Sequence, residues 1–168
     1  KKAESLRQAH SGELLLFSFG RHVAYKGYVY LLEALIQTDK VHLILGGEGP
    51  LTPEFQEFIK THGLGKKITL CGLIPQEKIP AYLAACDLFC FPSIDKTEAF
   101  GYTQVEAMIS GRPILSTFLD NGVNYVSIDA QTGITVEPKN PVQLRQAILE
   151  FQKHPEKLKQ LLNDPSSA

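Results

Sequence analysis

The chain has 168 residues, 43% of them hydrophobic and 21% charged, which suits one domain with its own apolar core and no need of a disulfide or structural metal. A formal net charge of −1, from 17 Lys and Arg against 18 Asp and Glu, excludes a broad electrostatic grip on nucleic acid, so an anionic ligand must be met by a local cluster of donors. Apolar runs are far shorter than the roughly 20 residues that cross a bilayer, and Cys71, Cys86 and Cys90 fit no metal or redox spacing and read as free thiols of a reducing, cytoplasmic compartment.

In chain order, the first dozen residues are polar, lack the apolar stretch of a signal peptide, and read as a linker or the tail of an earlier helix (1–12). LLLFSF (14–19) is the first expected strand, and the loop GRHVAYKG (20–27) leads to a helix striped by Val29, Leu32, Leu35 and Ile36. VHLILG (41–46) is the second strand. It runs into GGEGP and then a helix opened by Thr52-Pro53 and striped by Phe55, Phe58 and Ile59. KITLCG (67–72) and DLFCFP (87–92) flank a third helix with Ile79, Tyr82, Leu83 and Cys86 on one stripe. EAFGYTQVEAMISGRP (98–113) reads as a loop entering a helix near Phe100 or Gly101 and ending at Ser110. PILSTF (113–118), GITVEP (133–138) and a helix carrying Leu144, Ala147, Ile148 and Phe151 follow, and 156–168 reads as a last helix and frayed tail.

The expected strands are almost continuously apolar, as strands buried on both faces of a parallel sheet are. Alternation with helices this regular gives an α/β fold: a doubly wound, Rossmann-like parallel sheet of about six strands, helices on both faces. Ligands of such sheets bind beyond the carboxyl ends of the strands, where three loops fall.

GGEGP lacks the spacing of a dinucleotide fingerprint and reads as a tight turn, with Gly47 allowing backbone to approach a ligand. In GRHVAYKG, Gly20 and Gly27 let the backbone bend, and Arg21 with Lys26 could grip a diphosphate, a fork of donors beside a mobile point charge. The alternative is two solvated surface cations. His22 reads as a bystander.

In the third loop, Gly101, Tyr102 and Thr103 would present helix N-terminal N–H groups, which suit a phosphate. Glu106 lies one turn further on the same face, and Glu98 precedes the helix. Carboxylates repel phosphate but accept paired hydrogen bonds from vicinal hydroxyls. A phosphate seat between two hydroxyl-gripping carboxylates describes a nucleotide sugar. Capping or surface roles are the alternative for either glutamate taken singly.

FGRHVAYKGYVYLLEA, LILGGEGP, ITLCGLIPQEKIPAYLAACDLFCFPS, EAFGYTQVEAMISGRPIL and TGITVEP, in that order from about Leu14 to Phe151, resemble the C-terminal half of a retaining glycosyltransferase of the GT-B fold, group 1 or family 4. The resemblance implies that residues 13–155 form a donor-binding domain, one half of a GT-B fold, in which Arg21 and Lys26 bind and stabilise the departing diphosphate and Glu98 meets hydroxyls of the transferred sugar. It implies that Glu106 holds the ribose hydroxyls, that Ile74 borders the base, and that Gly20, Gly47, Phe100, Gly101, Tyr102 and Thr103 complete the donor site.

The implied donor is a UDP-, GDP- or ADP-linked hexose, the acceptor a glycan or lipid-linked glycan, and the setting bacterial surface polysaccharide synthesis. No cofactor is expected and, with no Asp-x-Asp in the chain, no metal held by that motif. The acceptor-binding N-terminal domain is missing, so the chain is expected to be inactive alone, in the cytoplasm, with room for peripheral membrane association through the missing domain. The alternative is a non-enzymatic nucleotide-sugar-binding subunit that acts with a separate acceptor chain. Two departures from the family pattern stand out: the longer loop IDKT (94–97) before Glu98, and LDNGVNYV (119–126) after the fifth strand.

Overall fold

The structure, a computed structural model, describes residues 1–95, 107, 111–119 and 133–156. Its centre is a six-stranded sheet in the order β3-β2-β1-β4-β5-β6. The strands are β1 (Leu14–Phe19), β2 (Val41–Gly46), β3 (Ile68–Gly72), β4 (Leu88–Phe91), β5 (Ile114–Thr117) and β6 (Gly133–Val136). Every pairing is parallel, with Leu14 opposite Val41, Leu16 opposite Leu88 and Ile114 opposite Gly133. This is the doubly wound order with its switch point between β1 and β4. The six expected strands are all present, trimmed at their ends by at most two residues.

Helices α1 (Lys2–Ala9), α2 (Tyr28–Ala34), α3 (Thr52–Thr61), α4 (Ile79–Ala85) and α5 (Pro141–Lys153) are described. Strand parity sorts the core into two layers, since successive side chains point to opposite faces. Leu16, Leu43, Leu45 and Leu88 pack with Leu31, Leu32 and Leu35 of the α2 region, Phe55 of α3 and Leu144, Ile148 and Phe151 of α5. On the other face Leu15, Phe17, Ile44 and Phe89 pack with Ile79 and Leu83 of α4, and Ala3 and Leu6 of α1 lean on that cluster. Both faces are therefore covered, which is why the strands carry apolar runs rather than an alternation.

The apolar stripe expected on α5 is wholly buried. That expected on α2 is shifted: Leu31 and Ala34 are buried with Leu32 and Leu35, while Val29 and Ile36 are only partly covered. A short helix laid flat on a sheet buries a wider arc than the narrow seam assumed from spacing. α2 ends under Arg145 of α5, whose Nε and Nη2 donate to the carbonyls of Ala34 and Glu33 at 2.9 and 3.0 Å. A cation there satisfies carbonyls that the last turn leaves without partners.

Residues 2–9, in the stretch expected as a linker or the tail of an earlier helix, form α1. It is fastened to the amino ends of the strands through Arg7, whose Nη1 donates to Asp87 Oδ2 at 2.6 Å and whose Nη2 donates to the carbonyls of His10 and Glu13 at 2.9 and 2.5 Å. Asp87 Oδ2 also accepts from the Leu15 amide at 2.8 Å. No helix among the described residues is long and apolar enough to cross a membrane.

Candidate functional site

At the carboxyl ends of β1, β2 and β3 lies a cleft of about 400 Å³ lined by Phe19, Gly20 and Arg21 from the first loop, Gly47 and Glu48 from the second, and Leu73 and Ile74 from the third. Four of the site residues expected from sequence thus meet on one surface: Gly20, Arg21, Gly47 and Ile74. Arg21 is exposed, and its side chain has no hydrogen-bond or ion-pair partner among the described residues. A guanidinium held against a concave wall with its donors unengaged is suited to a phosphate or carboxylate.

Gly47 explains how close the first two loops come. Its φ is 95°, and a Cβ there would lie 2.0 Å from the Gly20 carbonyl oxygen. Its amide donates to Gly72 O at 2.8 Å, tying the third loop to the second. Backbone therefore forms the floor of the cleft, and only Arg21 and Glu48 bring charge to its lining.

Lys26 stands at the end of a 3-10 turn, Ala24–Lys26, closed by Gly27 in the left-handed region with φ 71°. It is not among the lining residues of that cleft. Its Nζ lies 5.6 Å from the ring centroids of both Tyr25 and Phe91, within cation–π range. Phe91 ends β4, so Lys26 is turned toward the switch point between β1 and β4. Arg21 and Lys26 are thus carried on the same crossover, one over β1 to β3 and one toward β4. Glu98, Phe100, Gly101, Tyr102, Thr103 and Glu106 lie outside the described residues, as does the N-terminus of the helix expected there.

His22, a bystander by sequence, is not one in the fold. It is fully buried, with 0% exposure, between the first two loops. Nδ1 is 2.8 Å from Thr52 Oγ1 and Nε2 is 3.2 Å from Gly46 O. A carbonyl can only accept, so Nε2 carries the proton and Nδ1 accepts from the Thr52 hydroxyl. Burial pushes the His22 pKa below its ordinary value, only partly opposed by the bond to Gly46 O and the charge of Glu48.

One other cluster has ligand-type side chains. His10, Glu13 and His42 bring one ligand atom each within 4.8 Å of one another at the amino ends of β1 and β2. The rings of His10 and His42 are stacked at 4.0 Å, and both nitrogens of His42 are engaged, Nδ1 with Lys66 O at 3.1 Å and Nε2 with Thr69 Oγ1 at 2.7 Å. Stacked imidazoles direct their lone pairs side by side rather than toward a common point, so the trio does not make a metal centre as it stands. The cysteines are free thiols; burial raises all three pKa values, that of Cys86 to about 12, which leaves them poor nucleophiles.

Comparison with known proteins agrees with this architecture. The family model described as glycosyl transferases group 1 matches residues 2–164. Among curated proteins, D-rhamnosyltransferase WbpZ of Pseudomonas aeruginosa is 33% identical over 137 residues, covering 82% of this chain and 35% of that protein. Alpha-D-kanosaminyltransferase of Streptomyces kanamyceticus is 30% identical over 150 residues, covering 87% of this chain and 36% of that protein. The chain thus spans about a third of the length of the curated relatives it matches. Among solved structures, Anabaena HepE in complex with UDP superposes with a TM-score of 0.88 at 25% identity, over 96% of this chain and 45% of that one. The C-terminal domain of the group 1 family protein LpcC from Francisella tularensis shares the fold, with a TM-score of 0.82 at 23% identity, over 98% of this chain and 88% of that domain.

Proposed function

The chain belongs to the glycosyl transferases group 1 family, and from that membership we propose that it is the nucleotide-sugar donor-binding domain of a retaining glycosyltransferase that moves a hexose-type sugar to a glycan or lipid-linked acceptor. The observation that carries the reading is the cleft at the carboxyl ends of β1 to β3, where Arg21 faces a wall of backbone and Ile74. HepE, similar over 96% of the chain, has been solved with UDP and, in a further structure, with UDP-glucose, which supports a nucleoside diphosphate as the ligand here.

The chemistry follows from charge. Breaking a sugar–phosphate bond leaves a nucleoside diphosphate with additional negative charge, and preorganised cations lower that barrier without reorganising as the bond breaks. Arg21 would take the diphosphate with its planar fork. Lys26, its ammonium held near the two rings, would supply a second positive charge from the β4 side. Glu98 would orient the transferred sugar and Glu106 the ribose, with Phe100, Gly101, Tyr102 and Thr103 completing the donor seat. No metal is part of the proposal. The acceptor would be bound by a domain that precedes this one, so the chain alone would bind donor without transferring sugar. A cytoplasmic setting, in surface polysaccharide synthesis and with peripheral membrane attachment through the other domain, belongs to the same proposal.

Calorimetric titration with UDP, GDP and ADP, without added metal, tests it. One nucleoside diphosphate should bind in the micromolar range, and Arg21→Ala combined with Lys26→Ala should weaken it by about 2–4 kcal/mol, the scale of lost charge-assisted hydrogen bonds. Negligible heat with all three nucleotides would overturn the reading. Turnover of a labelled nucleotide sugar onto an acceptor by this chain alone would overturn the part that requires a second domain.

A further inference from the structure

Arg21 reaches the cleft because of what lies behind it. The first loop does not leave the sheet at Phe19 but goes on pairing with the second: Gly20 N donates to Gly46 O at 3.4 Å, His22 N to Glu48 O at 3.1 Å, and Leu51 N to His22 O at 3.0 Å. Val23 N turns back to Arg21 O at 2.9 Å, a three-residue turn centred on His22. The His22 ring then fills the space between the loops, with Thr52 Oγ1 on one nitrogen, Gly46 O on the other, and the rings of Phe55 and Tyr28 at 5.1 and 5.8 Å. Thr52 Oγ1 in turn accepts from Gly49 N at 2.9 Å. Nothing larger than glycine fits at position 49, where a Cβ would lie 2.7 Å from His22 O and 2.8 Å from His22 N.

We propose that His22 is the positioning residue of the donor site: by anchoring inward to Thr52 and Gly46 it fixes the turn that points Arg21 outward to the diphosphate. This rests on the function proposed above. The ring does three things that no apolar side chain does together. It accepts from a hydroxyl, donates to the carbonyl that ends β2, and keeps those two groups at a fixed separation. A leucine could fill the volume, but the Thr52 hydroxyl would lose its acceptor, Gly46 O its side-chain donor, and the turn its anchor. His22 acts through Arg21 and does not touch the ligand.

The test is a double-mutant cycle read by titration with inorganic pyrophosphate and with the nucleoside diphosphate that the wild-type chain binds. His22→Leu should weaken pyrophosphate binding about tenfold, the loss expected of one hydrogen-bonded anchor. His22→Gln, which can accept and donate in the same directions, should recover most of it. In an Arg21→Ala background His22→Leu should cause no further loss, a result that general loosening of the domain would not give. Should His22→Leu fail to fold, Thr52→Val replaces it and is expected to weaken binding by about threefold, with Thr52→Ser close to wild type. Wild-type affinity in the His22 and Thr52 variants, or an equal loss with and without Arg21, overturns the inference while leaving the proposed function standing. Failure of the wild-type chain to bind any of these ligands overturns both.

Discussion

At the amino ends of the strands Arg7 is engaged through both terminal nitrogens, bridging Asp87 and the carbonyls of His10 and Glu13, and Asp87 in turn holds the first amide of β1's interior. At the carboxyl ends Arg21 is exposed over a floor of backbone, its guanidinium without a partner among the described residues. The same side chain thus serves as a fastener at one end of the sheet and an open donor at the other. What differs is the supply of acceptors. Near Arg7 the chain provides a carboxylate and two carbonyls, whereas around Arg21 the carbonyls of Gly46 and Glu48 accept from first-loop amides and that of Gly20 abuts Gly47. Donors without partners have a use where a ligand can bring the acceptors.

The contrast can be broken most severely at Gly47. Gly47→Ala should cost about 3 kcal/mol or more in chemical denaturation, because both the positive φ and the approach to the Gly20 carbonyl are lost. It should abolish nucleotide binding with it. Gly65→Ala, with nothing within 4 Å of the added methyl, should leave stability within about 1 kcal/mol of wild type. Next comes Arg21→Ala alone, expected to weaken nucleoside diphosphate binding by about 2 kcal/mol while moving stability by less than about 0.5 kcal/mol. Arg7→Ala should do the reverse: a loss of about 1–2 kcal/mol in unfolding free energy with unchanged nucleotide affinity, since its bonds are half-exposed and lie at the far end of the sheet. Equal effects of the two arginines on binding would dissolve the distinction.

The smallest effect is one of pH. Burial lowers the pKa values of both His22 and His42 from the ordinary 6.5, aided at His42 by neighbouring His10. The unfolded chain therefore takes up protons at these rings before the folded one does. Their contribution to stability is complete above pH 6.5 and is lost as pH falls through the depressed folded values. Denaturation midpoints should fall between pH 7 and pH 5, and His42→Gln should flatten that slope without altering nucleotide binding at pH 7.5.

What the sequence determined by itself was whatever depends on local pattern. Unbroken runs such as VHLILG specify strands buried on both sides, the spacing of Leu144, Ala147, Ile148 and Phe151 specifies the face of α5, and the motifs EAFGYTQVE and GRHVAYKG carried the family resemblance. Arg21, Gly20 and Gly47 could be placed at one end of the sheet in advance because loops at carboxyl ends of parallel strands converge, and Ile74 was named through the family resemblance. Tertiary structure alone decided the rest. It showed that residues 2–9 form a helix held by Arg7, that α2 buries a broader face than its stripe implied, and that the Lys26 ammonium lies beside the Phe91 ring at the end of β4. It also turned a histidine read as a bystander into the pin between two loops. The reason is physical: Asp87, Phe91 and Thr52, which meet Arg7, Lys26 and His22, come from segments 80, 65 and 30 positions away, and no periodicity along the chain encodes which carbonyl a folded sheet will bring to a ring nitrogen.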